Sequence, residues 1–317
     1  MASLTRAETA VWLQSHDNFA IVTHRRPDGD TLGSAATLCR GLRQLGKTAH
    51  ILENPEITDK YRHLHQDLTK ASPEAGDTLV SVDVASSNML PEQFRDLEGK
   101  IALRIDHHRT STPFTADELV DPAAAACGQI IYDVLMGMGA QLDGPMANAL
   151  YTAISTDTGC FRYANTQSHT FEVAAACAKV MPDLYGMNQA LFGITSLARL
   201  KIQSWLLDNA IFLADGKMVV CALPLEVEKR IGVTEDDMEN ISGFPRSIEG
   251  VKIAATLRQS ESGEVKLSVR ATPEYDAGSI CAKFGGGGHR GAAGASMNMS
   301  LEEATQAVIA ALPQISN

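Results

Sequence analysis

Several features are scarce or missing in this chain of 317 residues, and each absence excludes a class of protein. The six cysteines are scattered and form no C-x-x-C pair, so the sequence indicates neither a zinc knot nor a disulfide framework. No stretch approaches the ~20 uncharged apolar residues of a transmembrane helix. Basic residues are outnumbered, 27 against 38 acidic ones, and the net charge of −11 argues against a broad electrostatic grip on long nucleic acid.

The remaining composition is that of a globular protein, with 44% hydrophobic residues and no internal repeat or low-complexity tract. A chain of this length can bury a large core and divide into two domains. We expect a soluble, cytoplasmic protein. Its net charge still leaves room for a short anionic ligand held by a few arginines.

The order of strand and helix signals predicts an α/β fold. In the first half, runs rich in Val, Ile and Leu alternate with helical stretches, and strands are predicted at 19–24, 47–52, 78–83 and 100–106. Such alternation predicts a parallel sheet with helices on both faces.

The pattern changes twice in the second half. It is helical from 123 to about 209, and then short strands return before a terminal helix. We predict a first domain over 1–190, a helical linker over 191–209 and a smaller α/β domain over 210–317.

Ionisable side chains follow three of the predicted strands. The segment FAIVTH ends at His24, TLVSVD ends at Asp83, and KIALRID ends at Asp106, with His107 and His108 next. The carboxyl ends of parallel strands form the ligand crevice of an α/β sheet. An acid with two imidazoles is costly to place beside a core unless a metal ion compensates for it.

Three further acids extend this cluster. In HRRPDGDTLGS, Gly29 lets the carboxylates of Asp28 and Asp30 point the same way. Taken alone, this P-D-G-D segment is an ordinary turn, but the histidine at its start favours a shared site. Asp157 closes the helical stretch TAISTD, where an anion is unfavourable unless a cation lies nearby.

The candidate metal ligands are four aspartates and two histidines: His24, Asp28, Asp30, Asp83, His107 and Asp157. This set is too large for one catalytic ion and suits two ions that share one carboxylate. Oxygen-rich ligation with some imidazole favours Mn²⁺, with Mg²⁺ or Co²⁺ as substitutes. Two such ions ~3.5–4 Å apart clamp the attacking and leaving oxygens of a phosphoryl displacement.

A glycine-rich segment, FGGGGHRGAAGA, indicates an anion site in the second domain. Because it has no serine and its glycines lead into His289 and Arg290, it does not resemble a flexible linker. We expect Gly287 and Gly288 to bring backbone N–H groups close to a ligand ahead of a small-residue helix. Over 241–295, seven Lys and Arg stand against five Asp and Glu, a local excess of +2.

Other residues are less decisive. Arg270, at the end of EVKLSVR, is either a partner of this anion site or a surface strand arginine. Arg109 directly follows the two histidines and is placed to hold a substrate phosphate. Cys160 is expected to be a small residue beside the site and not a nucleophile. His63 and His65 have no suitably spaced acid and are expected to be solvated.

The ordered motifs HRRPDGDTLGS, SVDVASS, IDHH and STDTG resemble the signatures of the DHH phosphoesterases. The segment KFGGGGHRGAAG resembles the nucleotide-binding motif of the associated DHHA1 domain, so the resemblance covers nearly the whole chain. In size the chain is similar to nanoRNase-type oligoribonucleases, which also dephosphorylate adenosine 3′,5′-bisphosphate (pAp). It is also similar in size to soluble cyclic-di-AMP phosphodiesterases.

The resemblance implies a role for each candidate residue. One Mn²⁺ would bind His24, Asp28 and Asp83, and a second would bind Asp30, Asp83, His107 and Asp157. Asp106 would orient His107 or His108, and His108 would contact the scissile phosphate or protonate the leaving oxygen. Substrate phosphates would be held by Arg109, Arg270, Gly287, Gly288, His289 and Arg290.

The implied activity is a two-metal phosphodiesterase or phosphatase in which a metal-bridged hydroxide attacks phosphorus. Its expected substrates are RNAs of about two to five nucleotides, because few phosphates can be held, together with pAp. A cyclic-di-AMP or pApA phosphodiesterase would use the same ligands, so this alternative stays open. A nucleotide-binding regulatory protein is disfavoured, since all six ligands are present. We expect a homodimer.

Overall fold

The computed structural model describes residues 2–315 and divides into two compact units, the first ending at Ile194 and the second beginning at Thr195. Within the predicted linker 191–209, the helix Leu197–Asp208 belongs to the second unit, where its Ile202 side chain is buried. Across 2–315, no helix combines the length and the apolar character that crossing a bilayer requires.

The first unit is built on a seven-stranded sheet in which every pair of neighbours is parallel, which confirms the predicted α/β fold. Its strands are β1 (Ala2–Ser3), β2 (Phe19–Val22), β3 (Ala49–Leu52), β4 (Thr69–Lys70), β5 (Thr78–Val82), β6 (Leu103–Asp106) and β7 (Asp117–Val120). Their order is β1-β7-β6-β5-β2-β3-β4. The chain leaves β2 toward one edge and returns through β5 on its other side, so a topological switch point lies between these two strands.

Helices and short turns cover the two faces of this sheet. The helices are α1 (Arg6–Ser15), α2 (Gly29–Gln44), α3 (Asp59–Arg62), α4 (Cys127–Gly137), α5 (Gly144–Asp157), α6 (Ser168–Val180) and α7 (Leu184–Asn188). Strand β2 is buried on both faces: Ile21 joins the core under α2, and Val22 joins a second core with Phe94. Helix α2 lies so close to α5 that a Cβ on Gly33 would be 2.4 Å from the Ala149 carbonyl oxygen.

The second unit combines a mixed six-stranded sheet with five helices in the part of the chain described. Its helices are α8 (Leu197–Asp208), α9 (Leu225–Ile231), α10 (Glu235–Met238), α11 (Ala277–Ala282) and α12 (Leu301–Ala311). Its strands are β8 (Ile211–Leu213), β9 (Met218–Leu223), β10 (Ile253–Gln259), β11 (Val265–Ala271), β12 (Gly287–Gly288) and β13 (Ala292–Met297), in the order β12-β13-β11-β10-β9-β8.

One predicted element of the second unit is wrong. The small-residue segment after the glycine-rich motif is the strand β13 and not a helix, and it pairs antiparallel with β11 and β12. Its less exposed side chains alternate, since Ala293 and Met297 are buried and Ala295 is partly buried, which is the period of a strand. Glycine permits the close approach: a Cβ on Gly286 would lie 2.2 Å from the carbonyl oxygen of Gly294.

The expectation that His65 is solvated is also wrong, although His63 is exposed as expected. His65 is buried, and its Nε2 lies 2.9 Å from the carbonyl oxygen of Leu32 in helix α2. Burial lowers the pKa of His65 to about 4, so the ring is neutral at physiological pH. This histidine therefore fastens the 59–68 segment to α2 and takes no part in a charged site.

Candidate metal centre

The loop between β2 and α2 brings two of the predicted ligands to the switch point of the sheet. Asp28 is the N-cap of α2, and its Oδ1 accepts hydrogen bonds from the N–H groups of Asp30 (3.0 Å) and Thr31 (3.2 Å). His24 lies two residues after β2, and its Nε2 is 3.6 Å from Asp28 Oδ1. The P-D-G-D segment thus caps a helix and also contributes to the cluster.

Asp30 is held by the amino end of another helix. Its Oδ2 accepts a hydrogen bond from the N–H of Cys127 (2.7 Å), and its Oδ1 accepts from the N–H of Gly128 (3.1 Å) and from Ser34 Oγ (2.9 Å). Because the first N–H groups of α4 point at this buried carboxylate, they favour its anionic form and fix its direction.

Asp83 lies at the centre of the cluster. It directly follows β5, its φ of 59° is in the left-handed region, and its side chain is buried. Its Oδ1 makes no hydrogen bond to any residue in 2–315. A buried, strained carboxylate with an unpartnered oxygen is costly unless another group binds it, and a metal ion fits that requirement.

Three groups of three side chains meet here, and in each group the ligand atoms lie within 4.8 Å of one another. Asp83, His107 and His108 form one group, and two further sets contain the six predicted ligands. The first set is His24, Asp28 and Asp83, and the second is Asp30, His107 and Asp157. Asp83 reaches both, since its Oδ2 is 3.7 Å from His24 Nε2 and its Oδ1 is 3.5 Å from His107 Nε2. The structure therefore brings all six predicted ligands together, with Asp83 between the two sets.

The histidine rings are oriented for metal binding. The Nδ1 of His24 is 2.8 Å from the Arg25 carbonyl oxygen, and the Nδ1 of His107 is 3.2 Å from the Ala124 carbonyl oxygen. When Nδ1 donates its proton to a carbonyl, Nε2 keeps a lone pair. In both rings Nε2 faces carboxylate oxygens at 3.5–3.7 Å, which suits a shared cation better than a direct hydrogen bond.

His108 is placed differently from His107. Its Nδ1 lies 2.8 Å from Asp106 Oδ1, and the same oxygen accepts hydrogen bonds from the backbone N–H groups of His107 and His108. Asp106 therefore contacts the imidazole of His108 and not that of His107. With Nδ1 bound to Asp106, Nε2 is the ring nitrogen left for a substrate.

The carboxylates of the cluster repel one another. Burial raises the pKa of Asp83 well above its usual value, and the charges of Asp30, Asp28 and Asp157 raise it further. Burial and the neighbouring Asp30 and Asp28 raise the pKa of Asp157 to about 8. A divalent cation would relieve this repulsion, and it would also explain why an aspartate ends helix α5, where the helix dipole disfavours an anion.

We expect the metal-free protein to lose stability as the pH rises from about 6.5 to about 8, the pKa of Asp157 in the folded protein. The pKa values of Asp83 and Asp157 are raised in the folded protein. Their protonated forms therefore stabilise it fully below the unfolded-state pKa of about 4, and this contribution is lost as the pH rises through the folded-state values. His65 titrates below this window.

Calorimetry of chelated and Mn²⁺-loaded protein checks this expectation. The gain in Tm on adding Mn²⁺ should be larger at the upper end of the window by a few degrees. An equal gain at both ends would contradict the assignment of these carboxylates.

Sequence reasoning missed two asparagines that support the ligands. Asn54 is buried just beyond β3, and its Nδ2 donates to the His24 carbonyl oxygen (2.9 Å). Asn165 Nδ2 donates to Asp157 Oδ2 (3.3 Å) and to the Ala125 carbonyl oxygen (2.9 Å). The sequence signal that points to Asn54 is its position just beyond a fourth strand of the same sheet edge.

The remaining candidates of the first unit lie near the cluster in the chain. Arg109 is exposed in the loop after β6. Cys160 is partly buried three residues after Asp157, and its φ of 58° places it in the left-handed region together with Phe161.

In the second unit the glycine-rich motif adjoins Arg270. This arginine is in β11 opposite Ala292 of β13, and the Ala271 N–H donates to the Gly291 carbonyl oxygen (3.0 Å). His289 and Arg290 are exposed, and Arg290 Nε donates to the Pro273 carbonyl oxygen (2.7 Å). Gly287 and Gly288 are exposed in β12.

Part of the expected backbone cradle is already occupied. The N–H of His289 donates to the Ala292 carbonyl oxygen (2.8 Å), and the carbonyl oxygen of Arg290 accepts from the N–H of Ala277 (2.8 Å). The N–H of His289 is therefore not available to an anion.

Comparisons with known proteins agree with this geometry. Residues 18–154 match the DHH family, N-terminal domain, and residues 215–315 match the DHHA1 domain. The chain is 32% identical over 303 residues to the bifunctional oligoribonuclease and PAP phosphatase NrnA of Thermus thermophilus, an alignment that covers 92% of this chain and 88% of the relative.

Two more distant proteins extend the comparison. The cyclic-di-AMP phosphodiesterase PdeA of Listeria monocytogenes is 22% identical over 320 residues, which cover 93% of this chain and 47% of PdeA. The crystal structure of an exopolyphosphatase-related protein from Bacteroides fragilis superposes with a TM-score of 0.87 at 21% identity, covering 96% of this chain and 94% of that one. At this identity the likeness establishes the fold.

Proposed function

This chain belongs to the DHH family, and from that premise we propose that it is a two-metal phosphoesterase acting on short oligoribonucleotides and on pAp. The observation that carries the proposal is the pair of ligand sets with Asp83 between them at the switch point of a parallel sheet. The Thermus thermophilus relative, named for both activities, supports this choice of substrates.

The donor set suggests which ions the protein uses. His24, Asp28 and Asp83 would hold one divalent ion, and a second would be held by Asp30, Asp83, His107 and Asp157. Carboxylate oxygens with imidazole nitrogens suit Mn²⁺, and Mg²⁺ or Co²⁺ can substitute. When bound, two such ions stabilise the negative charge that develops on the oxygens of the reacting phosphoryl group.

The protein's own groups complete the reaction. His108, fixed through Nδ1 by Asp106, donates a proton from Nε2 to the leaving oxygen. Asn54 and Asn165 keep the His24 loop and the Asp157 side chain in place. Substrate phosphates that do not react are bound by Arg109, Arg270, His289 and Arg290, with Gly287 and Gly288.

We expect kcat/KM to be highest for RNAs of about two to five nucleotides, with a shallow salt dependence, because few phosphate contacts are available. The net charge of −11 offers no basic track along which a long chain could be bound. The measurement is kcat/KM on an RNA ladder from dimer to about 24-mer in the presence of Mn²⁺. A value that rises steadily with length would point to a processive nuclease instead.

The same assay separates the alternatives. Cyclic-di-AMP, its linear product pApA, and pAp are compared with the short RNAs at equal concentration. The similarity to PdeA across 93% of this chain makes cyclic-di-AMP the second candidate substrate. A regulatory protein without activity would bind these nucleotides and hydrolyse none of them. The proposed homodimer is checked by light scattering of the purified protein.

Replacing Arg290 with alanine is expected to raise KM about tenfold and to change kcat less than about twofold, because Arg290 contacts a phosphate that does not react. The matched control is Arg230→Ala, at an exposed arginine of α9 in the same unit, which should leave both constants unchanged. Steady-state kinetics on a ribonucleotide dimer measures the effect. A fall in kcat with constant KM would assign Arg290 to the chemical step.

A further inference from the structure

A fully buried arginine lies behind the Asp106–His108 pair. Arg104 is in the interior of β6, its relative exposure is 0%, and it is among the largest side chains that are fully buried. Because side chains alternate along a strand, Arg104 and Asp106 point to the same face of the sheet. A guanidinium in this position is costly unless it is paired, and an apolar residue would stabilise the strand more simply.

The contacts of Arg104 join the segments that carry the catalytic groups. Its Nη1 donates to the Ala85 carbonyl oxygen (3.0 Å), two residues after Asp83, and to the Thr112 carbonyl oxygen (3.4 Å), in the loop that follows His108. Its Nη2 binds Glu118 Oε2 at 2.6 Å, and Glu118 is its neighbour in register on β7. One guanidinium thus ties together the loops that follow β5 and β6.

Arg104 also faces the free oxygen of Asp106. The three N–H groups that bind Asp106 all use Oδ1, and Oδ2 is buried without a hydrogen bond from the described residues. Arg104 forms the ion pair on the Oδ2 side of this carboxylate, where its Nη1 lies 3.8 Å from Oδ2. Attraction at Oδ2 opposes rotation of the carboxylate and keeps Oδ1 directed at His108 Nδ1.

We propose that Arg104 is a positioning residue that acts on the reaction through Asp106 and His108. The inference rests on the proposed phosphoesterase function. In hydrolysis, water forms the new bond to phosphorus, and the bond from phosphorus to the 3′-oxygen breaks. That oxygen takes a proton from His108, and a proton from the attacking water then restores His108. Misalignment of His108 should therefore slow the departure of a poor leaving group most.

The test compares two substrates that differ in the leaving group. One is a ribonucleotide dimer, whose 3′-oxygen needs a proton to leave, and the other is a nucleoside 5′-(p-nitrophenyl phosphate), whose p-nitrophenolate leaves without one. Arg104→Met should reduce kcat about 10–100-fold on the dimer and less than about threefold on the activated ester, with KM and metal content unchanged. A purely structural role would reduce both rates by the same factor.

A conservative variant keeps the test decisive if Arg104→Met does not fold. Arg104→Lys keeps a buried cation but cannot reach all of the contacts made by the planar guanidinium, so it should show an intermediate loss with the same preference for the activated ester. Glu118→Gln is the matched control. It weakens the other ion pair of Arg104, and it should lower Tm while the ratio of the two rates stays unchanged.

A double-mutant cycle identifies the route of the effect. If Arg104 acts through Asp106, Arg104→Met should cost almost no further kcat once Asp106→Asn is present, whereas independent roles would give additive losses. Additive losses, or equal losses on both substrates, would overturn the inference. If the wild-type protein hydrolyses neither substrate with Mn²⁺, the proposed function fails instead, so the two failures are distinguishable.

Discussion

Asp83→Ala is expected to remove both bound metal ions and to reduce hydrolysis by at least about 10⁴-fold, the scale seen when a central catalytic group is deleted. The reason is the position of Asp83 between the two ligand sets, with Oδ2 near His24 and Oδ1 near His107. Loss of one shared carboxylate weakens both sets at once. Metal analysis of the purified variant and kcat on a ribonucleotide dimer measure the two effects.

Strand β5 supplies a matched control for this substitution. Asp77 lies just before the strand and Asp83 just after it, so they are at opposite edges of the sheet. The Asp77 side chain is 7% exposed, and its Oδ2 is 3.3 Å from His50 Nε2. Asp77→Ala should keep both ions and full activity. A variant at Asp83 that keeps one tight ion and a measurable rate would contradict the bridging role.

The thermal stability of Asp83→Ala distinguishes loss of metal binding from misfolding. In metal-free protein, burial and neighbouring carboxylates raise the pKa of Asp83, so its removal relieves repulsion. Metal-free Asp83→Ala should therefore be at least as stable as the metal-free wild type, and only the wild type should gain Tm on addition of Mn²⁺.

His108→Ala is expected to lower kcat by ~10²–10⁴ while both metal ions stay bound, because general acid catalysis contributes on this scale. The Nδ1 of His108 is bound to Asp106, and His108 belongs to neither of the two ligand sets that contain the six predicted ligands. The measurements are kcat on the dimer and metal stoichiometry. His63→Ala, at an exposed histidine, is the control and should change neither.

Metal content decides the role of this histidine. If His108→Ala lost metal as completely as Asp83→Ala, His108 would be a ligand. The group formed by Asp83, His107 and His108 would then be the relevant one.

The residues predicted best from the sequence are those at the ends of strands. Asp83 and Asp106 come at the ends of short segments rich in Val, Ile and Leu, so their common sheet edge could be inferred. Asp157 was predicted as the end of a helix, and it is the last residue of α5. Local patterns determine these positions.

The residues that were missed depend on packing between distant segments. Burial of His65 requires α2 beneath it. The contacts of Arg104 form only when Glu118 and the loops after β5 and β6 surround it. The helix predicted after the glycine-rich motif failed because alanine and glycine carry little information about period. Pairing with β11 then determined the structure.

The ligand residues are spread widely along the chain, and this spread has a consequence for synthesis of the protein on the ribosome. The ligands extend from His24 to Asp157, and they meet only when β2, β5, β6 and α5 have all docked. A nascent chain that stops before α5 lacks the last ligand, and parallel strands must wait for their crossover segments before they can pair. A ribosome that stalls before the end of α5 therefore releases a fragment that lacks at least one of the six ligand residues.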